Sequence, residues 1–389
     1  MTYSILKFID LFCGIGGFHQ AASIYNWECI LASDIDKECR NVYKNNYDIE
    51  PLGDIKNINE QDIPDFDILF AGFPCQAFSH SGKQLGFQDQ TRGTLFFDIC
   101  RILNHKTPKF FILENVKNLF THDKGNTWKT IYNSIIELGY NTYEKPIVVS
   151  PLFFGIPQNR DRLFIVGIRK DQKELPPYPT FTKLSTNIND ILDDESDNDK
   201  TLHLNKQDII TLNIWEEFIQ YFKNLNIKLP TFPIWTEEMD LDYDISQLPS
   251  WKQTILQKNR LFYHTYSDFL DKWLDKIRHK SIIVSKRKLE WQSGVFQEND
   301  SIWSLIFQFR PSGIRVSRTN YSPALVAMAQ IVYIGSRKRK LSPREVSRLQ
   351  SFPDSFKINS NKNTAYKQFG NAVNVRVAQE MIKHLLELS

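Results

Sequence analysis

The sequence predicts an α/β fold, a doubly wound Rossmann-like sheet joined to a second, smaller and irregular domain. Three observations carry that expectation. Residues 1–170 alternate short apolar runs with amphipathic stretches, a glycine-rich turn follows the first run at once, and the alternation stops near residue 180. Of the 389 residues, 41% are hydrophobic and 24% charged, enough to bury a large core and too apolar for a disordered chain.

The apolar runs lie at residues 8–12, 29–33, 67–72, 109–113, 142–149 and 162–168, a spacing that implies βαβ units and a mostly parallel sheet. Beyond Arg169 the character changes. Pro176-Pro177-Tyr178-Pro179 breaks regular structure, and residues 187–199 hold six acidic side chains and no basic one. From about 183 to 338 the pattern is irregular, and six of the eight tryptophans fall there: Trp215, Trp235, Trp251, Trp273, Trp291 and Trp303. Ser342, Pro343 and Glu345 occupy the N-cap, N1 and N3 positions of a capping box, so a short helix is expected from that point. A last helix after Asn371 would place Val373, Val377, Ala378, Met381, Ile382, Leu385 and Leu386 on one face. The expected division is therefore residues 1–182 with 365–389 as the first domain, 183–338 as the second, and 339–364 as a hinge segment.

Lys plus Arg (48) almost balance Asp plus Glu (45), so a basic surface has to come from local clustering. No basic N-terminal region precedes a long apolar segment, and no run of about 18 apolar residues occurs, which argues for a cytoplasmic protein without a membrane span. The five cysteines, Cys13, Cys29, Cys39, Cys75 and Cys100, show no Cys-x-x-Cys spacing, so neither a disulfide framework nor a metal site is expected.

In a doubly wound sheet, ligands bind beyond the carboxyl ends of the strands. Four groups punctuate those ends: Asp10-Leu11-Phe12-Cys13-Gly14-Ile15-Gly16-Gly17, Asp34, Phe73-Pro74-Cys75-Gln76, and Glu114-Asn115-Val116. The third glycine of a dinucleotide fingerprint is replaced by His19, so the turn lacks a pyrophosphate grip. A glycine turn with Asp34 placed for ribose hydroxyls suits an adenosine ligand such as S-adenosylmethionine, although a tight turn and helix cap would use the same residues. Cys75, after a proline at a strand end, has the position of a nucleophile. Glu114 leaves an apolar strand towards the same edge, where a carboxyl with a raised pKa could donate to the ring nitrogen of a base. Arg160 and Arg162, two residues apart, could brace Glu114 and hold a substrate oxygen, or form an ordinary surface cluster.

Together with Gln158-Asn159-Arg160-Asp161-Arg162, Pro343-Arg344-Glu345 and Gln368-Phe369-Gly370-Asn371-Ala372-Val373, these motifs closely resemble those of the C5-cytosine-specific DNA methyltransferases, of the bacterial restriction–modification type. The resemblance covers residues 8–170 and 339–389 in order. It implies a Rossmann-like S-adenosylmethionine-dependent methyltransferase sheet and a target recognition domain at 183–338. It also implies that Cys75 adds to cytosine C6, Glu114 bonds the N3 and amino edge, and Arg162 holds O2 and steadies the carboxylate. The cofactor would meet Phe12, Gly14, Gly16, Gly17, Asp34, Ile35, Asp54, Ile55, Pro74, Leu95, Asn371 and Ala372. Asp34 and Ile35 stand where a well-known member carries Glu and Trp, so adenine stacking is weaker or differently supplied.

The reaction cannot occur inside a stacked duplex, so the resemblance implies base flipping. A loop over residues 76–93, with Ser79, Ser81 and Arg92, would close on the DNA. Residues 310–350 hold nine Lys or Arg against one acid, Glu345, a density suited to phosphate contacts. Phe309-Arg310-Pro311-Ser312-Gly313-Ile314-Arg315 has the form of a loop placing Arg310 or Arg315 on a guanine edge. The expected partner is double-stranded DNA, met by a monomer, with any cognate restriction endonuclease acting separately. A tRNA cytosine-5 methyltransferase and a catalytically silent DNA-binding relative are the alternatives. The long aromatic-rich insertion disfavours the first, and intact Cys75, Glu114 and Arg162 disfavour the second.

Overall fold

The computed structural model describes residues 5–74, 95–325 and 330–387, and it divides into two compact units. The first comprises the chain up to Thr186, a short stretch from Pro323, and the chain from Val346; the second is Asn187–Ser322 with Gln330–Glu345. The segment expected as a hinge is thus shared, residues 339–345 counting with the second unit and the rest with the first.

In the first unit the chain runs β1 (Lys7–Leu11), α1 (Gly17–Ala22), β2 (Glu28–Ser33), α2 (Lys37–Tyr47), β3 (Ile68–Gly72), α3 (Leu95–Lys106), β4 (Phe110–Val116), α4 (Asn126–Glu137), β5 (Tyr140–Asn141), β6 (Ile147–Val149), β7 (Gln158–Asn159) and β8 (Arg162–Arg169). The sheet order is β2-β1-β3-β4-β8-β5, with β6 also on β8. The pairs β1–β2, β1–β3 and β3–β4 are parallel, as the βαβ rhythm requires. Beyond β4 the sheet turns antiparallel, β8 pairing that way with β4, β5 and β6. The expectation of a mostly parallel sheet therefore holds for half of it. Only one 3-10 turn (Pro151–Phe154) and the short β7 separate β6 from β8, and without a crossover α-helix β8 returns antiparallel to β6.

The central strands are buried on both sides: on one, Ile9, Leu11, Leu69, Ala71, Phe111, Leu113, Leu163 and Ile165 share a core with Phe96, Ile99 and Leu103 of α3 and Ile131 and Ile135 of α4, and on the other Phe8, Phe70, Ile112 and Phe164 are buried. A continuous apolar run is what such a strand needs.

The second unit holds α5 (Lys206–Asn224), β9 (Ile234–Trp235), α6 (Ser250–Thr265), α7 (Ser267–Ile277), β10 (Lys288–Trp291), β11 (Ile306–Arg310) and β12 (Gly313–Ser317). After β13 (Ser322–Pro323), β14 (Tyr333–Ile334) and β15 (Arg339–Lys340) complete a six-stranded sheet of order β15-β14-β11-β12-β10-β9. The stretch expected to be irregular is thus regular, but its strands run only two to five residues, too short for an alternating pattern to register. Trp215, Trp273 and Trp291 lie in its core with Phe218 and Phe222, whereas Trp251 is exposed.

The chain then runs through α8 (Pro343–Leu349) into α9 (Lys362–Asn371) and α10 (Val375–Leu386). The capping box forms as expected: the Ser342 amide donates to Glu345 Oε2 at 2.7 Å and the Glu345 amide to Ser342 Oγ at 3.2 Å. Val375, Val377, Ala378, Met381, Ile382 and Leu385 form the buried stripe of α10, whose N-cap is Asn374, so Val373, expected on the stripe, precedes the helix. Among the described residues no helix is long and apolar enough to cross a membrane.

Candidate active site

The turn after β1 is shaped by backbone strain and close approach. Phe12 (φ +54°) and Gly14 (φ +53°) both lie in the left-handed region. A β-carbon on Gly16 would fall 2.3 Å from the Tyr47 ring, and one on Gly17 only 2.4 Å from the Val373 carbonyl oxygen, so these two glycines serve packing. Gly14 differs, because among the described residues a β-carbon there would meet nothing within 4 Å. The turn therefore leaves open space at Gly14 alone of the three.

Asp34, just past β2, locks this turn. Its Oδ2 accepts from the Gly14 amide at 2.8 Å and its Oδ1 from the Asp36 amide at 2.8 Å. Burial raises its pKa, and these two amide bonds oppose the shift. Each carboxylate oxygen has a second acceptor position, so ribose hydroxyls could still be held. Ile35 beside it is 75% exposed, an apolar side chain bare to solvent at the rim of the turn. Asp54 caps a short 3-10 helix, accepting from the Lys56 amide at 3.0 Å, while Ile55 is buried in the core. Beneath the turn Asp10 is buried with Oδ2 unpartnered among the described residues, and desolvation drives its carboxyl well above the ordinary range.

At the ends of β3 and β4, register sets Gly72 opposite Glu114. Glu114 is almost fully buried and its Oε1 lies 3.0 Å from Arg162 Nε, the first residue of β8. Burial raises the Glu114 pKa, and the positive charges of Arg162 and Arg160 oppose it. The two arginines meet different hydrogen-bond partners. Arg160 is buried and donates to the carbonyls of Leu325 (3.1 Å) and Ala372 (3.2 Å), with Nε unpartnered among the described residues. Burial, together with the like charge of Arg162, pulls its guanidinium down to about 9. Both still line one small cavity with Glu114, Val149, Phe164 and Asn374.

Two features here were not anticipated from sequence. Asn115 Nδ2 donates to the Phe73 carbonyl at 2.9 Å, clamping the backbone two residues before Cys75. The only signal was an amide beside Glu114 at the end of an apolar run. The C-terminal motif also closes onto the turn: Val373 touches Gly17 through its carbonyl, and its Cγ2 would lie 3.1 Å from a β-carbon on Gly72. Asn371 ends α9 exposed, and Ala372 is buried against Arg160. Leu95 opens α3 and Pro74 follows β3 in an exposed position. Cys75, Ser79, Ser81 and Arg92 lie outside the described residues.

In the second unit the basic segment has partners the sequence kept at a distance. Arg339 is fully buried, forming a bidentate pair with Glu345 at 2.8 Å for both bonds and a further ion pair with Asp197. Arg337 pairs with Asp194 and Asp197, and Arg318 with Asp300. In the first unit, Arg348 pairs with Asp354. Much of the expected phosphate-binding density is thus spent inside the protein, the acidic run near 193–197 being the counterpart of the basic run near 337–339. Arg310 and Arg315 both reach one carboxylate, that of Glu290.

A family profile described as C-5 cytosine-specific DNA methylase matches residues 6–387. The chain belongs to that family. It is 34% identical over 375 residues to the type II methyltransferase M.HhaI of Haemophilus parahaemolyticus, spanning 96% of this chain and 92% of that one. It is 34% identical over 424 residues to M.BanI of Aneurinibacillus aneurinilyticus, spanning 98% and 96%. Among solved structures, a putative DNA modification methyltransferase encoded within an Escherichia coli prophage superposes with a TM-score of 0.57 at 19% identity, over 98% of this chain and 99% of that one. The Dnmt2 methyltransferase of S. pombe gives 0.52 at 16% identity over 99% of each, and these two likenesses establish the fold. The protein is a DNA cytosine-5 methyltransferase and uses S-adenosylmethionine as methyl donor. The residues present fit that cofactor: open space at Gly14, a carboxylate at Asp34 and the bare Ile35 side chain adjoin one turn.

Proposed function

We propose that this enzyme flips a cytosine from a specific duplex sequence and methylates C5 through a covalent adduct at Cys75, protecting host DNA in a restriction–modification system. The observation that carries the reading is the Glu114–Arg162 ion pair at the carboxyl edge of the sheet, adjoining Gly72 and the clamped Phe73 that lead to Cys75. In this account the Cys75 thiolate forms a bond to C6, while Glu114, whose buried carboxyl keeps its proton more readily than usual, donates it to N3. The electron pair then resides at C5. S-adenosylmethionine supplies an electrophilic methyl group. After transfer S-adenosylhomocysteine is the co-product, the C5 proton leaves to a base, the C6–sulfur bond breaks with Cys75 departing as thiolate, and N3 returns its proton to Glu114, so one methyl group replaces one proton.

Arg162 steadies the Glu114 carboxyl and offers its remaining N–H groups to the cytosine O2. Arg160 acts by positioning, tying the Ala372 carbonyl so that the C-terminal motif stays closed on the turn. Phe12, Gly14, Asp34, Ile35, Asp54, Ile55, Pro74, Leu95, Asn371 and Ala372 line the cofactor site, Gly16 and Gly17 shaping it through packing. Ser79, Ser81 and Arg92 contact the DNA on closure, and Arg310 and Arg315 read it. The enzyme acts as a monomer in the cytoplasm, and its cognate nuclease is a separate protein. Methylation of duplex DNA, absent in Cys75→Ala, tests the reading; tRNA methylation alone, or binding without turnover, would contradict it.

A further inference from the structure

The sheet of the second unit has an apolar and a polar face, as strand periodicity requires. Leu289, Trp291, Phe307, Ile314 and Val316 point into the core with α5 and α7. The residues between them point the other way. Register sets Glu290 beside Arg315 and Arg315 beside Gln308, and Arg310 lies two residues on from Gln308 on the same face.

On that face Glu290 is the hub. Its side chain is only 10% exposed, and its Oε2 receives Arg315 Nε at 2.8 Å, Arg315 Nη2 at 2.7 Å and Arg310 Nη1 at 3.5 Å. Its Oε1 accepts from Ser312 Oγ at 2.9 Å. One buried carboxylate needs one cation, and a second guanidinium beside the first adds repulsion unless it meets something else. Both arginines remain about a third exposed, at 27% and 35%. Among the described residues, Nη1 of Arg315 and Nε and Nη2 of Arg310 have no protein partner. The turn that carries them is fixed at its base: Gly313 has φ +139°, and a β-carbon there would lie 2.9 Å from the Lys288 carbonyl oxygen. Pro311 and Ser312 stand exposed at the tip.

We propose that Glu290 is a specificity-determining positioning residue: it locks Arg310 and Arg315 into one rigid, donor-only fork that reads the paired acceptors of a guanine edge. In the major groove only guanine offers two adjacent acceptors, N7 and O6, and a fork held in place before binding loses little side-chain freedom on meeting them. The inference rests on the reading that this hairpin faces DNA.

The test uses the full-length enzyme with a pool of duplexes randomised around a fixed cytosine, S-adenosylmethionine, and bisulfite sequencing of the products. Arg315→Ala and Glu290→Gln are each expected to reduce the preference for guanine at the same position about tenfold. The double variant should add less than about twofold to either, because Glu290 acts through the arginine. Thermal melting and cofactor titration report folding, and if Glu290→Gln melts below the assay temperature, Glu290→Asp, which draws the fork back by one methylene, carries the same expectation. An unchanged preference in the Glu290 variants while Arg315→Ala relaxes it overturns the inference alone. An unchanged preference in Arg310→Ala and Arg315→Ala, or a uniform loss across all sequences, overturns the DNA-reading assignment as well.

Discussion

Arg162 holds Glu114 across the β4–β8 pair, Nε to Oε1 at 3.0 Å, two residues out of direct register. Burial and the Arg162 charge act in opposite senses on one carboxyl, the first raising its pKa and the second lowering it. If Glu114 works as an acid, activity is present while it is protonated and falls as pH rises through its pKa. Removing the Arg162 charge leaves burial less opposed, so Arg162→Gln should move the alkaline limb of kcat to higher pH while lowering kcat by about 10²-fold or more. A limb that stays in place or moves down would show that Glu114 does not set it.

The glycine turn separates packing from binding. Gly17→Ala drives a β-carbon into the Val373 carbonyl and should lower the melting temperature with little change in cofactor affinity per folded molecule. Gly14→Ala costs about 1 kcal/mol for its positive φ and should weaken S-adenosylmethionine binding well beyond that, since its β-carbon enters the open space. Calorimetric titration alongside thermal melting checks both.

His19 gives a stability signature in acid. Its Nδ1 lies 2.7 Å from Tyr43 Oη, its ring stacks on Tyr47 at 3.9 Å, and burial lowers its pKa from 6.5 to about 4. The unfolded chain takes up a proton at higher pH than the folded one, so stability is lost as pH falls below about 6.5. Between pH 7 and 5 that loss is about 2 kcal/mol, and His19→Gln should remove it from the pH dependence of urea unfolding.

Arg339 and Glu345 are both fully buried, so breaking the pair strands a charge. Glu345→Ala should destabilise the second unit by about 3–5 kcal/mol, which denaturant unfolding would reveal as an earlier transition. Arg339→Ala should leave the salt dependence of DNA binding unaltered in whatever remains folded, because a fully buried arginine meets no phosphate.

The catalytic half was legible because its signals are local. Apolar runs marked β1 to β4, the glycine turn followed β1 at once, and Ser342 and Glu345 announced a capping box that forms as written. What escaped was non-local. Nothing near Arg337 and Arg339 disclosed that Asp194 and Asp197 neutralise them from about 140 residues away. The antiparallel turn of the sheet was hidden because an apolar run carries no sign of its direction. The helix α5 could have been read, since Leu212, Trp215, Ile219 and Phe222 recur at helical spacing, but the short strands after it dilute the pattern. Asn115, holding the Phe73 carbonyl, looked like one polar residue in a motif and is the clamp beside the Cys75 segment.

The most direct test of the account is mass spectrometry of nucleosides from unmethylated duplex DNA incubated with the enzyme and S-adenosylmethionine, with Cys75→Ala alongside. The account predicts 5-methylcytosine with the wild-type enzyme and none with the variant. Equal 5-methylcytosine from both would contradict the covalent route through Cys75, and none from either would contradict the catalytic assignment as a whole.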